Sequence, residues 1–351
     1  MHPQDPMTAP RASRTALQAT QYEVFRRKRA LMASFMIFVL IPATMVFGIV
    51  VLDQNMYMII SLLVVIYTLI PFFMVFEARK PKAREIVLIA MMAALTVVLQ
   101  LFFHVTVPIQ AGTAMVIISG IALGPEAGFL VGALARLVCN FYIGQGPWTP
   151  WQMFCWGLLG FLAGLAFNKI DPEDLRKYRQ LASEKINTGA RKLPGPLMKV
   201  NSRSFRVVMG PVICILFAIA LAYVCWLIWP GSGENSGFIG WRLYIFGAGG
   251  LLAGVLLQRK RLPADGLTMA LFTFFVTFIV YGGIMNVCAM VNASIMPGGD
   301  PISLNTLRML YITGVPYDAV HAATAAIFIF LFGDLIIRKL ERVKIKYGIY
   351  R

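Results

Sequence analysis

The sequence predicts an all-α polytopic membrane protein with about ten transmembrane helices, and three observations carry that expectation. The 351 residues are 58% hydrophobic and only 14% charged. Uncharged apolar runs recur at roughly the 20 residues a helix needs to cross a bilayer. Lysine and arginine gather in alternate connections, as cytoplasmic loops require. A transmembrane barrel would instead show alternating segments of about ten residues, and no such alternation dominates.

The expected spans, in order, are 31–52, 57–76, 86–106, 107–124, 125–143, 151–168, 207–229, 241–258, 266–290 and 318–337. The first follows a polar tail, 1–30, and is long enough to cross, so it reads as a true membrane helix and not a cleaved signal peptide. The basic clusters are Arg26 to Arg29, Arg79 to Arg84, Lys169 to Arg206, Arg259 to Arg261 and Arg338 to Arg351. With ten crossings and the N-terminus inside, all of these are cytoplasmic, and so are both termini. Arg308 is the clear exception, and Arg242 sits at a span edge. The net charge of +16 thus reports topology and contact with anionic headgroups of the lipid bilayer, and gives no reason to expect nucleic acid.

The segment 169–206 mixes charges with Pro and Gly and reads as a basic cytoplasmic linker. The outer connection from Val291 to Val315 is long for neighbouring helices and is expected to fold over whatever lies beneath it. Cys139, Cys155, Cys214, Cys225 and Cys288 lie in or beside apolar spans without CxxC spacing, which suits packing and no metal. Small residues recur at four-residue spacing in Ala90/Ala94, Gly128/Gly132, Gly160/Gly164 and Gly250/Gly254. Such pairs serve either helix packing within the chain or docking onto a partner membrane subunit.

Polar groups at bilayer depth cost several kcal/mol unless paired or hydrated, so each is a functional candidate. Gln100 and His104 close the third span, Arg136 and Asn140 the fifth, and Asn286 the ninth; Asp318 and His321 open the tenth. Under the charge-derived topology all seven fall in the outer half of the membrane, which predicts an outward-facing polar pocket. Gly132, Arg136 and Asn140 follow at i+4 steps, so Arg136 is expected to face the bundle. Arg136 pairing with Asp318, helix capping by Asp318 beyond Pro316, and plain helix contacts for the two histidines are the competing readings. At the same level stands "GQGPWTPWQM", 144–153. Gln145, Trp148 and Trp151 there fit either a headgroup belt or the rigid wall of a binding site.

No GxxxxGK[ST] loop occurs, so the chain does not drive itself with ATP. HExxH, GxSxG and metal-spaced acidic clusters are likewise absent from the sequence, so no catalytic residue, no metal and no cofactor in this chain are expected. A membrane-embedded enzyme acting on a lipid-linked substrate would have to use His104 or His321 as acid or base. A self-sufficient secondary carrier would be expected to show internal repeats, which are not evident.

"AREIVLIAMMAALTVVLQ", "GPEAGFLVGALARLVCNFYIGQGPWTPWQMFCWGLLGFLAGL", "YGGIMN" and "GVPYDAVHAATAAIFIFLFGDLIIRKLERVKIKYG" together resemble the substrate-binding S component of energy-coupling factor (ECF) transporters. The resemblance covers about 83–168 and 266–349. It implies a six-helix core, 83–168 with 264–351, preceded by an extra helix pair in 31–80 and interrupted by an inserted pair in 207–260. It further implies capture of a vitamin or similar micronutrient from outside, with cobalamin a candidate. Uptake would need a transmembrane coupling protein and two cytoplasmic ABC ATPases that use ATP. Ala90 and Ala94 match the small residues with which the family's first core helix meets the coupling protein. The substrate site expected on these grounds comprises Arg136, Asn140, Gln145, Trp148, Trp151, Asn286, Asp318, His321 and His104.

Overall fold

The computed structural model describes residues 83–106, 109–167, 202–229, 240–257, 264–295 and 302–347, with shorter stretches and single positions in 32–70 and at 238 and 262. The tail 1–30, most of the first two expected spans and nearly all of the linker 169–206 lie outside the described residues. Within 31–80 a helical piece, Met36–Leu40, buries Ile37, and Phe38 meets Phe161 edge-on at 6.1 Å.

The described helices are α1 (Ala83–Thr106), α2 (Ala111–Leu123), α3 (Pro125–Ile143), α4 (Thr149–Ala166), α5 (Ser202–Ile228) and α6 (Trp241–Leu257). There follow α7 (Gly266–Val276), a π turn (Thr277–Gly282), α8 (Gly283–Ile295) and α9 (Leu304–Lys346). Local chemistry sets the ends. Gly124 at φ 102 turns the chain into α3, where Pro125 occupies the first helical turn and Glu126 meets the positive end of the helix dipole. Gly144 at φ 130 ends the same helix, a backbone state that other residues resist. Asp265 caps α7 by accepting from the Thr268 amide at 3.0 Å, and Ser303 caps α9 by accepting from the Thr306 amide at 3.1 Å.

Two expected elements change. The run 107–124 was expected to span, but α2 has 13 residues. At about 1.5 Å per residue it reaches about 20 Å, short of the roughly 30 Å hydrocarbon layer. It is instead the buried centre of the bundle, enclosed by α1, α3, α4 and α9, with Ala111 through Ala122 all buried. The outer connection 291–315 was expected to be a loop, but helix α9 already begins at Leu304 and runs 43 residues through Pro316. Its buried positions Tyr311, Asp318, Ala322, Ala325 and Ile329 recur at helical spacing, so packing holds the helix through the proline. Five described stretches are long and apolar enough to cross a membrane: Ala83–His104, Pro125–Ile143, Met209–Ile228, Gly266–Ser294 and Leu304–Lys344. Among the described residues these five, not ten, meet that criterion.

Glycines bring the core backbones together. A Cβ on Gly128 would stand 2.6 Å from both the Gly120 Cα and the Gly160 carbonyl oxygen, so α2, α3 and α4 meet with no side chain between them. A Cβ on Gly164 would come 2.5 Å from the Pro125 Cα, and one on Gly250 would come 2.6 Å from the Ile215 Cα, where α6 crosses α5. Three of the four small-residue pairs therefore pack within the chain. Ala90 and Ala94 do not, and lie on an exposed face of α1 with Val87, Met91 and Val98.

At the C-terminal end of α2, the buried Lys344 ammonium donates to the Ala122 carbonyl and to Glu341 at 3.0 Å. A cation on the last carbonyls of a helix is the favourable polarity there. Nearby, the Leu262 amide donates to the Ala166 carbonyl at 2.7 Å and Phe167 pairs with Leu262. The chain between α4 and α7, which holds α5 and α6, thus leaves and rejoins the core at one point.

Gly128→Val is expected to cost about 3 kcal/mol of stability, since two backbones would have to part. Ala90→Val should stay within about 0.5 kcal/mol, because it adds methyls to an exposed face. Thermal unfolding of the two purified variants in one detergent checks the contrast.

Candidate functional site

The polar residues collect at the end of the bundle that the charge pattern assigns to the outside. There α1 finishes, α2 starts, α3 finishes and α4 starts. The GQGPWTPWQM turn joins the last two, and its threonine and second glutamine organise the site. Asn140 Nδ2 donates to Gln152 Oε1 at 2.8 Å and to Thr149 Oγ1 at 3.0 Å. Arg136 Nε donates to the same Gln152 oxygen at 2.9 Å. Thr149 Oγ1 also accepts from the Gly146 amide at 3.2 Å and donates to Gln145 Oε1 at 2.9 Å, while Gln145 Nε2 reaches the Leu137 carbonyl at 3.3 Å. One connected network therefore fixes the Arg136 side chain, and its guanidinium lies 5.0 Å from the centre of the Trp156 ring.

A second set surrounds the start of α2. Gln100 Oε1 accepts from the Gly112 amide at 3.1 Å, and Gln100 Nε2 donates to Gln110 at 3.2 Å. Thr113 Oγ1 lies 2.9 Å from His321 Nε2, and the Tyr281 ring meets His321 edge-on at 4.6 Å. A Cβ on Gly112 would sit 2.7 Å from the Trp156 ring, so this set adjoins the Arg136 network through Trp156.

Three fully or almost fully buried polar atoms here have no hydrogen-bond partner among the described residues: Asn140 Oδ1, Trp156 Nε1 and His321 Nδ1. Each carries a desolvation penalty of about 1–3 kcal/mol that no described residue offsets. A ligand that supplies acceptors to the indole N–H and the guanidinium, and a donor to the amide oxygen, would relieve it.

Asn286 and Asp318 form a separate group. Tyr244 O–H donates to Asp318 Oδ2 at 2.5 Å, and Asn286 Nδ2 donates to the same oxygen at 2.9 Å and to the Gly282 carbonyl at 2.8 Å. No ion pair joins Arg136 to Asp318 among the described residues, and Asp318 lies inside α9 and not at a helix start, which removes the capping reading. Trp151 is half-buried against the core. Trp148 is 38% exposed and its ring folds over Gly146 of its own turn, which puts it on the rim. His104, one turn beyond Gln100 on α1, is exposed.

The sequence reading missed Thr113, Thr149, Gln152, Trp156, Tyr244 and Tyr281. Gln152 and Thr149 stood within the quoted turn, and an eye for side chains able to accept from Arg136 would have found Gln152. Trp156 carried no signal beyond its apolar surroundings. Among the described residues no group of three or more His, Cys, Asp or Glu could hold a metal ion.

Comparison with known proteins bears on this region. Residues 80–183 match the family model described as "ECF-type riboflavin transporter, S component". A "UPF0397 protein" of Aster yellows witches'-broom phytoplasma (strain AYWB) is 32% identical over 81 residues, which is 23% of this chain and 40% of that protein. The chain thus spans less than half the length of this relative. No solved structure matches the chain. The matched segment holds α1 to α4, and so Arg136, Asn140, Gln145, Gln152 and Trp156.

Gln152→Leu is expected to lower stability by about 2 kcal/mol, since it strips a half-buried cation and Asn140 of their shared acceptor. Trp148→Ala, on the rim, should stay within about 0.5 kcal/mol. Thermal unfolding without ligand separates the two.

Proposed function

We propose that this chain, whose residues 80–183 carry an ECF S-component domain, is the substrate-binding membrane subunit of an ECF-type importer and captures a vitamin from the outside. The observation that supports the reading most directly is the cluster of unpartnered, buried polar atoms beside Arg136 and Trp156. It lies within the matched segment, or adjoins it at His321, and at the end of the bundle assigned to the outside. Such groups persist in an apolar interior at a cost, and a bound ligand accounts for them.

Riboflavin, the vitamin in the name of the matching family model, is the first ligand to test, ahead of cobalamin. Its planar ring system presents carbonyl acceptors and an imide N–H along one edge, which suits Arg136, the Trp156 indole N–H and Asn140 Oδ1. The chain's part would be to bind, orient and shield this ligand, with no chemistry performed on it. Energy would come from ATP spent by two ABC ATPases through a transmembrane coupling protein. The exposed small-residue face of α1 at Ala90 and Ala94 is the proposed contact with that coupling protein, since side chains this small let another helix approach closely.

The purified full chain is expected to bind riboflavin without nucleotide, and Arg136→Ala to weaken binding at least tenfold. Tight cobalamin binding with no riboflavin binding would reverse the ligand assignment. Ala90→Trp with Ala94→Trp should leave ligand affinity unchanged while abolishing co-purification with the ATPases and coupling protein. Loss of both together, or of neither, would count against the proposed contact.

A further inference from the structure

We propose that Tyr244, on the inserted helix α6, is a positioning residue for the ligand site, a proposal that rests on reading the Arg136 and His321 region as that site. Its hydroxyl holds Asp318, and through Asp318 it keeps the π turn and His321 in register. Among the described residues, side-chain contacts join α6 to the π turn and to α9.

Tyr244 supplies such a contact. Its residue is 3% exposed, and its ring stacks on Tyr311 of α9 at 4.5 Å and on Phe278 of the π turn at 5.1 Å. Its O–H and the Asn286 amide converge on one oxygen of Asp318, itself buried, and Asn286 also ties down the Gly282 carbonyl in the turn. Four segments, α6, the π turn, α8 and α9, meet at this carboxyl group.

The contact is tight as well as polar. A Cβ on Gly282 would come 2.6 Å from Asp318 Oδ2, and one on Gly314 would come 2.5 Å from Asn286 Oδ1. No side chain can enter between the turn and α9 to absorb a shift. Tyr281, the residue before Gly282, sets its ring edge-on to His321, and His321 lies one turn after Asp318 on α9. Displacing Asp318 therefore moves the imidazole and the ring that abuts it together. A π turn is where a helix most readily takes up such a shift, because its hydrogen-bond ladder is already irregular.

Removing the hydroxyl alone leaves a buried carboxylate oxygen short of a donor, whereas a neutral amide at position 318 carries an oxygen that the Asn286 donor alone serves. The chain has three histidines, so ring 15N labelling of the full-length protein in nanodiscs gives few signals, and His321→Asn assigns the relevant one. Tyr244→Phe is expected to displace the His321 signal and to weaken riboflavin binding at least fivefold. The double variant Tyr244→Phe/Asp318→Asn should restore both. Asp318→Leu, which strands both donors, should displace the signal in the same way and serves if Tyr244→Phe does not fold. An unmoved His321 signal in either folded variant, or a displacement that persists in the double variant, overturns the proposal. The resonance measurement needs no ligand, so a wild-type chain that does not bind riboflavin would count against the transport reading alone.

Discussion

The meeting of three backbones at Gly120, Gly128 and Gly160 is the constraint on which the rest of this structure depends. Helix–helix association in a membrane gains little from apolar burial, because lipid is as apolar as leucine, so close van der Waals approach has to supply it. Here that approach encloses α2, a helix too short to span, at the centre of the bundle. It also sets the level of the site. Gly132 lies against the Trp156 backbone, and one turn further along α3 the Arg136 guanidinium reaches the Trp156 ring. A side chain at these glycines would push α3 away from α4 and separate the two.

The polar residues that the sequence placed in one pocket divide into two groups with different fates. Around Arg136, hydrogen bonds fix the side chains yet leave Asn140 Oδ1, Trp156 Nε1 and His321 Nδ1 unserved. Around Asp318, the Tyr244 hydroxyl and the Asn286 amide converge on one carboxyl oxygen, and glycines exclude any filler. In a medium without water, unmet capacity costs free energy and satisfied capacity rigidifies. The first group keeps hydrogen-bonding capacity that no neighbour meets, whereas the second spends its donors on one shared oxygen.

How far the sequence revealed this varies with the residue. Arg136, Asn140 and Gln145 were legible together because a four-residue stripe and an adjoining turn keep them near each other in any fold. Gln100 and His104 show where that rule runs out. Four residues advance a helix by about 40° beyond a full turn, and at the end of α1 this carries His104 past the edge that α2 covers. Trp148 was the prominent tryptophan in sequence, but its own turn folds it onto Gly146, and the deeply buried Trp156 meets Arg136 instead. Asp318 read as a helix start because Pro316 precedes it. Ser303 caps the helix much earlier, and packing carries it through the proline.

By itself the sequence determined that the chain is helical and membrane-embedded, and that its intramembrane polar groups cluster towards one end. Those properties follow from apolar run length and from the periodicity of single helices, which are local. Only the tertiary structure decided which helices touch. It made Gln152 the shared acceptor of Arg136 and Asn140, gave Asp318 to Tyr244 on the inserted pair, and turned Ala90 and Ala94 outward while the glycine pairs faced inward. Partners of this kind lie on different helices, 74 positions apart for Tyr244 and Asp318 and 208 for Thr113 and His321, and no periodicity within one helix encodes them. They are chosen by which backbones can approach closely, and that depends on small residues acting in concert across helices.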